Sequence, residues 1–432
     1  MIIHLRNLLK WLTIGIGIKR WLVLLISGVF IVAIGVGYTI FKLNSELSFS
    51  VELQQISWLE ILAAIVIGLI VATIALYKLL HNLLAPYRLH QQGHIVDVVY
   101  THSKRQKGLK VVAIGGGTGL PSVLRGLKQH TSNITAIVTV ADDGGSSGRL
   151  RKDLGVLPPG DLRNNIAALA NDESLMTQLF QYRFNTGDLS GHAFGNLFIA
   201  ALAGISGGLE SALTEVSRVL NIQGQVLPAT LDDVNLVAKV RPPGKQRSLT
   251  IRGESKISEI GGIIEELGLA PDDIDAYPGS VQAILDADII VIGPGSLYTS
   301  ILPNLLVKGI VDALRATTAY KIYICNVATQ KGETQNYSVA DHVLALEKHI
   351  GRGVFQAVLA NNRFQSENAG RNTHYVPAVP EHHQILQRYE IKYTDLTDEQ
   401  QPWRHDPQKL GYAILSIKEA EKVGQNITEL IM

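Results

Sequence analysis

Two long apolar stretches near the amino terminus dominate the hydrophobic pattern of this chain. Trp21–Phe41 runs for 21 residues without a charge, and Trp58–Leu80 carries Glu60 and Lys78 only at its margins. Each matches the roughly 20 residues that a helix needs to cross a hydrocarbon core. The intervening Lys42–Ser57 is short and polar, so the pattern predicts a helical hairpin with spans at about 21–41 and 58–80. Lys10, Lys19 and Arg20 precede the hairpin; Arg88, Lys104, Arg105 and Lys107 follow it; Lys42 is the only basic residue between the spans. Basic residues collect on the cytoplasmic side. The expectation is therefore a multi-pass protein of the cell membrane, with both termini and the main domain in the cytoplasm. A cleaved signal peptide is not expected, because the first run is long and no small-residue cleavage site precedes the second. The competing reading is a pair of buried core helices. Met1–Ile18, apolar with scattered basic residues, is expected to lie on the inner membrane face.

Past residue 109 the periodicity changes. Continuous apolar runs occur at Lys110–Ile114, Ile134–Val140, Ala287–Ile292, Lys321–Val327 and Phe355–Leu359. Runs of this length read as parallel strands buried on both faces. Helical spacing separates them: Leu162, Ile166 and Leu169 after a good N-cap at Asp161, then Leu175–Arg183, the apolar Leu197–Leu202 read as a buried helix, and Ser338–His349. Between Gln225 and Glu259 the period drops to two. Val234, Leu236, Ala238 and Val240 alternate with other residues, as do Leu249 and Ile251 beyond the Pro242-Pro243-Gly244 turn, which predicts antiparallel strands. The fold class that follows is α/β: a Rossmann-like, three-layer parallel sheet with a small β-rich insertion, preceded by two transmembrane helices. The expected domains are a membrane anchor over 1–85, a linker over 86–109 and one α/β domain over 110–432.

Chemistry concentrates where the first two strands end. Lys110–Ile114 leads into Gly115, Gly116, Gly117, Thr118 and Gly119, and a helix opened by Pro121 and Ser122 follows. The second strand leads into Asp142-Asp143-Gly-Gly-Ser146-Ser147-Gly148-Arg149. Glycine lets backbone N–H groups approach a phosphate, and a helix N-terminus adds partial positive charge, so a nucleotide is the first ligand to consider. The glycine loop alone is a weak signal, equally suited to a tight turn that packs strand on helix. Leu120 stands where a dinucleotide fingerprint has its last glycine, and no Gly-Lys-Ser/Thr follows. The carboxylates suit a ribose or sugar hydroxyl, or Mg²⁺ through one oxygen, with Ser146 and Ser147 nearby. Being adjacent, Asp142 and Asp143 point apart in an extended loop, and only one reaches a given ligand. A further strand–glycine loop–helix unit carries Gly293, Gly295 and Ser296. Loops of this kind gather at the carboxyl ends of a parallel sheet, so both glycine loops are expected to face one crevice. The net charge of +1 gives no argument for nucleic acid, and the single Cys325 allows no internal disulfide and reads as a buried core residue.

Taken in order, Gly115-Gly-Gly-Thr-Gly119, Ala141–Arg149, Pro158-Pro-Gly-Asp-Leu-Arg-Asn164, Gly191-His-Ala-Phe-Gly-Asn-Leu197 and Gly293-Pro-Gly-Ser-Leu-Tyr-Thr-Ser300 resemble the YvcK/CofD-like family. This is the group of gluconeogenesis factors related to 2-phospho-L-lactate transferase, and the resemblance runs from Lys110 to about Asn361. For YvcK-like members it implies a UDP-sugar ligand such as UDP-glucose or UDP-N-acetylglucosamine, and for the transferase branch phospholactyl transfer onto a deazaflavin with Mg²⁺. The acidic loop here looks like the YvcK side. With the resemblance, Asn164, His192 and Asn196 join the candidate ligand residues, the last two expected beside Gly293–Ser296; no catalytic residue and no metal ligand is assigned. Three functions of different class follow: a membrane-anchored UDP-sugar sensor regulating carbon metabolism, envelope synthesis and cell shape; a Mg²⁺-dependent transferase; and an NAD(P)-dependent oxidoreductase. Mg²⁺ is the one cofactor the residues leave room for. Expected partners are the nucleotide, membrane lipid and envelope-synthesis proteins, with homo-oligomerisation left open.

Overall fold

Long apolar helices account for the whole described part of the amino-terminal unit. The structure is a computed structural model that describes residues 18–43, 57–88, 108–170, 174–364 and 373–418. The chain divides between Tyr100 and Thr101 into two units. In the first, α1 (Ile18–Leu43) and α2 (Trp58–Arg88) contain apolar stretches of 24 residues, Arg20–Leu43, and 23 residues, Trp58–Leu80. Both are long and apolar enough to cross a membrane. Their outward side chains, Phe30 and Ile67 among them, are exposed, as a lipid-facing surface requires. All but Ile18 of the expected surface segment Met1–Ile18, most of the loop between the spans and most of the linker lie outside the described residues.

The two helices meet through glycine. A Cβ on Gly28 would stand 2.7 Å from the Ala72 nitrogen and 2.9 Å from the Gly68 oxygen, and one on Gly68 would stand 2.9 Å from the Gly28 oxygen. Backbones this close leave no room for a side chain, which is how small residues hold helices together in lipid. Gly28→Leu is therefore expected to splay the hairpin. Spin labels at the exposed positions Phe30 and Ile67 should report a longer, broader distance; an unchanged distribution would refute this packing.

The second unit is built on a parallel sheet. Its strands are β1 (Val111–Gly115), β2 (Ile134–Val138), β3 (Gln225–Pro228), β7 (Ile289–Ile292), β8 (Tyr320–Ile324), β9 (Ala357–Asn361) and β10 (Glu390–Thr394), in the order β10-β9-β8-β7-β1-β2-β3. Every pairing is parallel; Val111 lies opposite Ile134 on one side and Ile289 on the other. β1, β2 and β7 are buried along their whole length, which explains their unbroken β-branched runs. The chain moves outward from β1 to β3 on one side and from β7 to β10 on the other. Right-handed crossovers in opposite directions put helices on both faces, and the order reverses between β1 and β7. Ligands of open α/β sheets bind at that reversal.

A separate sheet has the order β5-β4-β6, with β4 (Asn235–Arg241) antiparallel to β5 (Leu249–Arg252) and β6 (Ile263–Ala270). Leu236, Ala238 and Val240 are buried while Lys239 and Arg241 are exposed, the alternation that period two requires. Several expected boundaries move. The ninth strand is Ala357–Asn361 rather than Phe355–Leu359, because Ala357 takes the place opposite Ile322 and the Phe355 ring stacks on Tyr389 at 4.7 Å. The helix expected from Ser338 starts at Val339, with Ser338 and Asp341 forming a reciprocal capping box. The apolar helix at Leu197–Leu202 is longer, Phe194–Ser206, and is not buried all round: Asn196, Ile199 and Ala200 face inward while Ile205 is 83% exposed. Cys325 is fully buried, and burial pushes its thiol up to about 12.

Candidate functional site

The first glycine loop sits on a carboxylate. β1 ends at Gly115, and α3 (Leu120–Leu127) opens with Pro121 and no side-chain cap, leaving its first N–H groups free of one. Gly117 donates its N–H to the Asp161 carboxyl, and a Cβ at Gly117 would lie 2.3 Å from Asp161 Oδ1 and 2.9 Å from Asn164 Nδ2. Two buried amides hold the loop from below: Asn165 Nδ2 donates to the Gly116 carbonyl at 3.1 Å and Asn304 Nδ2 to that of Gly115 at 3.0 Å. Thr118 is exposed. Asp161 is not the N-cap that its sequence position suggests. It lies in the first turn of α5 (Gly160–Leu169), whose N-cap is Pro159. Its membership of the Pro158–Asn164 motif was the available signal for a role in the site.

Across the sheet reversal, Gly293–Ser296 follows β7. A Cβ on Gly119 would lie 2.4 Å from the Pro294 oxygen, so the two glycine loops touch through their backbones. Asn326 clamps Gly295 from both sides, accepting its N–H at 3.0 Å and donating to its carbonyl at 2.8 Å, while Ser296 Oγ donates to Gln330 at 2.7 Å. A π-helical turn, Leu297–Ile301, carries the chain away from the loop, and such turns recur at functional sites. A cavity of about 530 Å³ opens at this junction, lined by Thr118, Ser122, Arg125, Ser296, Gln330 and Arg404 among others.

The acidic loop splits in two directions. Asp142 accepts the Gly144 N–H at 2.9 Å and the Ser147 hydroxyl. Asp143 turns the other way and accepts from Ser255 N at 2.9 Å and Ser255 Oγ at 2.8 Å, in the first turn of α9 (Glu254–Ile260). Both serines of the loop are buried and engaged: Ser147 with Asp142, and Ser146 with His192 Nδ1 at 3.1 Å and Asn196 Nδ2 at 3.0 Å. His192 and Asn196 thus make their contacts with the acidic loop, not with Gly293–Ser296 as the motif order suggested. The reason is tertiary: α4 (Gly145–Leu154) packs its first turn against the start of α7 (Phe194–Ser206).

Carboxylates from distant segments converge on this centre. Asp161 is pushed up to about 7, chiefly by burial and then by the neighbouring Asp142. Glu254 is pushed up to about 8 by burial and then by Asp142, Asp161, Glu333 and Asp143. Burial also raises Asp142 and Glu333, the latter held by the Tyr298 N–H at 3.3 Å and the Thr299 hydroxyl at 3.0 Å. Like charges sharing a site favour the protonated form, and perturbed groups in a crevice mark functional candidates. Glu254 and Glu333 escaped the sequence reading because neither stands in a glycine or acidic motif. Helix α9, which follows β5, contributes Glu254 to this centre, while the small sheet's cations Lys239 and Arg241 pair with Glu266 and Glu265. No group of three or more His, Cys, Asp or Glu side chains among the described residues is arranged to hold a metal by itself.

Fold and site together define a doubly wound α/β protein with paired glycine loops at its switch point and an acidic floor. A family model described as "2-phospho-L-lactate transferase CofD" matches residues 111–414. The chain belongs to this CofD family. A relative from Nostoc sp., named "Putative gluconeogenesis factor", is 44% identical over 94% of this chain and 91% of its own length. The "Gluconeogenesis factor" of Bacillus subtilis is 52% identical over 59% of this chain and 78% of its own. The crystal structure of Bacillus halodurans protein BH3568 superposes with a TM-score of 0.67 at 44% identity, covering 71% of this chain and 99% of that one.

Proposed function

We propose that residues 110–432 bind a nucleoside diphosphate sugar of the UDP type and act as a regulator of carbon metabolism and envelope synthesis, tethered to the cytoplasmic face of the membrane by the hairpin. The observation that carries this reading is the backbone contact between the two glycine loops at the sheet reversal, above a 530 Å³ cavity. That volume falls within the range of small-molecule sites, roughly 300–1,000 Å³. The first turn of α3, which has no side-chain cap, is the end that faces phosphates in such loops, and the cavity's Arg125 and Arg404 add positive charge. The names of the relatives support the metabolic role, and the excess of basic residues outside the spans supports the orientation. Domain bounds of 1–85, 86–109 and 110–432 belong to the same proposal.

A second reading, a transferase of phosphorylated small molecules, is favoured by the family model's description and by the acidic centre. Mg²⁺ is commonly held by one or two carboxylates plus substrate phosphates. Asp142 and Asp161 fit that arrangement, in which the ion comes with the nucleotide and supplies charge neutralisation. Calorimetric titration of fragment His102–Met432 with UDP-N-acetylglucosamine, UDP-glucose and NAD, each with and without Mg²⁺, separates the readings. Saturable UDP-sugar binding, lost in Asp142→Ala and without product formation, is the expected result. Silence with both UDP-sugars would overturn the sensor, and Mg²⁺-dependent product would establish the transferase.

A further inference from the structure

The loop that carries His192 is flanked by guanidinium groups that, among the described residues, form no ion pair. Residues 182–194 fold as a tight hairpin, with Phe184 N bonded to the His192 carbonyl at 2.9 Å and Phe194 N to that of Tyr182 at 2.8 Å. Arg183 reaches across it and donates from Nη1 to the Gly191 carbonyl at 2.6 Å. Arg149, on α4, donates from Nη2 to the adjacent Ser190 carbonyl at 3.0 Å. Arg163, on α5, packs its stem against Gly195, is 8% exposed, and donates Nη2 to Asn164 Oδ1 at 2.6 Å, while its Nε has no partner. Among the described residues none of these three lies within 4.0 Å of a carboxylate, although Arg151, close by on α4, pairs with Asp233.

The neighbours are electrostatically unsatisfied as well. Burial and then Arg183 lower Arg163, and burial and then Arg149 lower His192, with Asp153 opposing. Asp142 and Asp161, the carboxylates facing Arg163, are engaged by Gly144, Ser147 and Gly117. The same loop carries His192, which is linked through Ser146 Oγ to Asn196 Nδ2. A buried guanidinium nitrogen without a partner, as at Arg163 Nε, is costly, and guanidinium forks match phosphate and carboxylate oxygens.

We propose that Arg149 and Arg183, at the Gly191–His192 turn, and the buried Arg163 beside Gly195 form a second anion subsite that takes the phosphate or carboxylate group of a small metabolite distinct from the nucleotide. The domain then reads two ligands, one at each end of the acidic centre. This goes beyond the nucleotide reading and stands without it.

The test is calorimetric titration of the full-length protein in detergent with inorganic phosphate, alone and with saturating UDP-N-acetylglucosamine, and with acetate as the carboxylate probe. Saturable binding is expected, weakened about tenfold or more in the double variant Arg149→Gln/Arg183→Gln, as the loss of charge-assisted hydrogen bonds requires. Both side chains are exposed, and thermal melting checks that the variant is folded. Preference for phosphate over acetate, or the reverse, assigns the ligand class. Phosphate affinity equal in parent and double variant, no saturable binding of either anion, or displacement of phosphate by UDP-N-acetylglucosamine would each overturn the proposal. A failure of UDP-N-acetylglucosamine to bind, with Arg-dependent phosphate binding retained, would instead sink the nucleotide reading alone.

Discussion

Replacing Gly119 with valine is expected to abolish UDP-sugar binding and to cost about 1–3 kcal/mol of stability through overpacking. A Cβ there would lie 2.4 Å from the Pro294 oxygen, 2.6 Å from its carbonyl carbon and 2.9 Å from Gly295 Cα. All three are backbone atoms of the opposite loop, so no rotamer change relieves the clash and the loops must part. Space decides the matter, since Gly119 has φ −85°, which any residue adopts. Gly204, inside an exposed helix with nothing within 4 Å of its added Cβ, is the matched control; Gly204→Ala should gain up to about 1 kcal/mol. Urea unfolding and calorimetry on both variants check the pair. Parent-like UDP-sugar affinity in Gly119→Val would remove the ligand from the loop junction.

Asp161→Asn is expected to stabilise the ligand-free domain above neutral pH while weakening any Mg²⁺-dependent part of ligand binding. The folded-state value near 7 lies above the ordinary 3.8, so the protonated carboxyl is the form the fold prefers. The resulting stability is fully present below pH 3.8, falls as the pH rises through about 7 and is flat above that. The interval between the two values, at about 1.4 kcal/mol per pH unit, sets an upper bound of about 4 kcal/mol. Asparagine keeps an oxygen for the Gly117 N–H and removes the charge that repels Asp142. Melting temperatures of parent and variant from pH 4 to pH 9 should converge in acid and diverge in base. Identical pH profiles would show that Asp161 does not carry this charge. The trade is familiar at sites where function keeps an unfavourable charge in place.

The hairpin and the first βαβ unit were legible because their signals are local. Charge-free runs as long as Trp21–Phe41 have few other uses, and Val111–Gly115 followed by glycines and Pro121 encodes strand, turn and helix within about a dozen residues. The alternation in Val234–Val240 was equally plain. The divergence of Asp142 and Asp143 followed from extended geometry, and their partners bear it out. Illegible were Asp161 as the seat of the glycine loop, Glu254 and Glu333 as members of the acidic centre, and His192 with Asn196 as partners of Ser146.

Local spacing along the chain therefore determined the elements, the glycine and acidic loops and the sheet class, because propensity, periodicity and turn chemistry act over a few residues. Only the tertiary structure decided which loops meet and which charges share a space. Gly119 touches Pro294, Ser146 meets His192, and Glu254 faces Asp142 across more than a hundred residues of chain. Contacts of that kind are set by strand order and helix packing. The energies that shift the carboxylates of the acidic centre, desolvation and charge repulsion, exist only once those segments have come together.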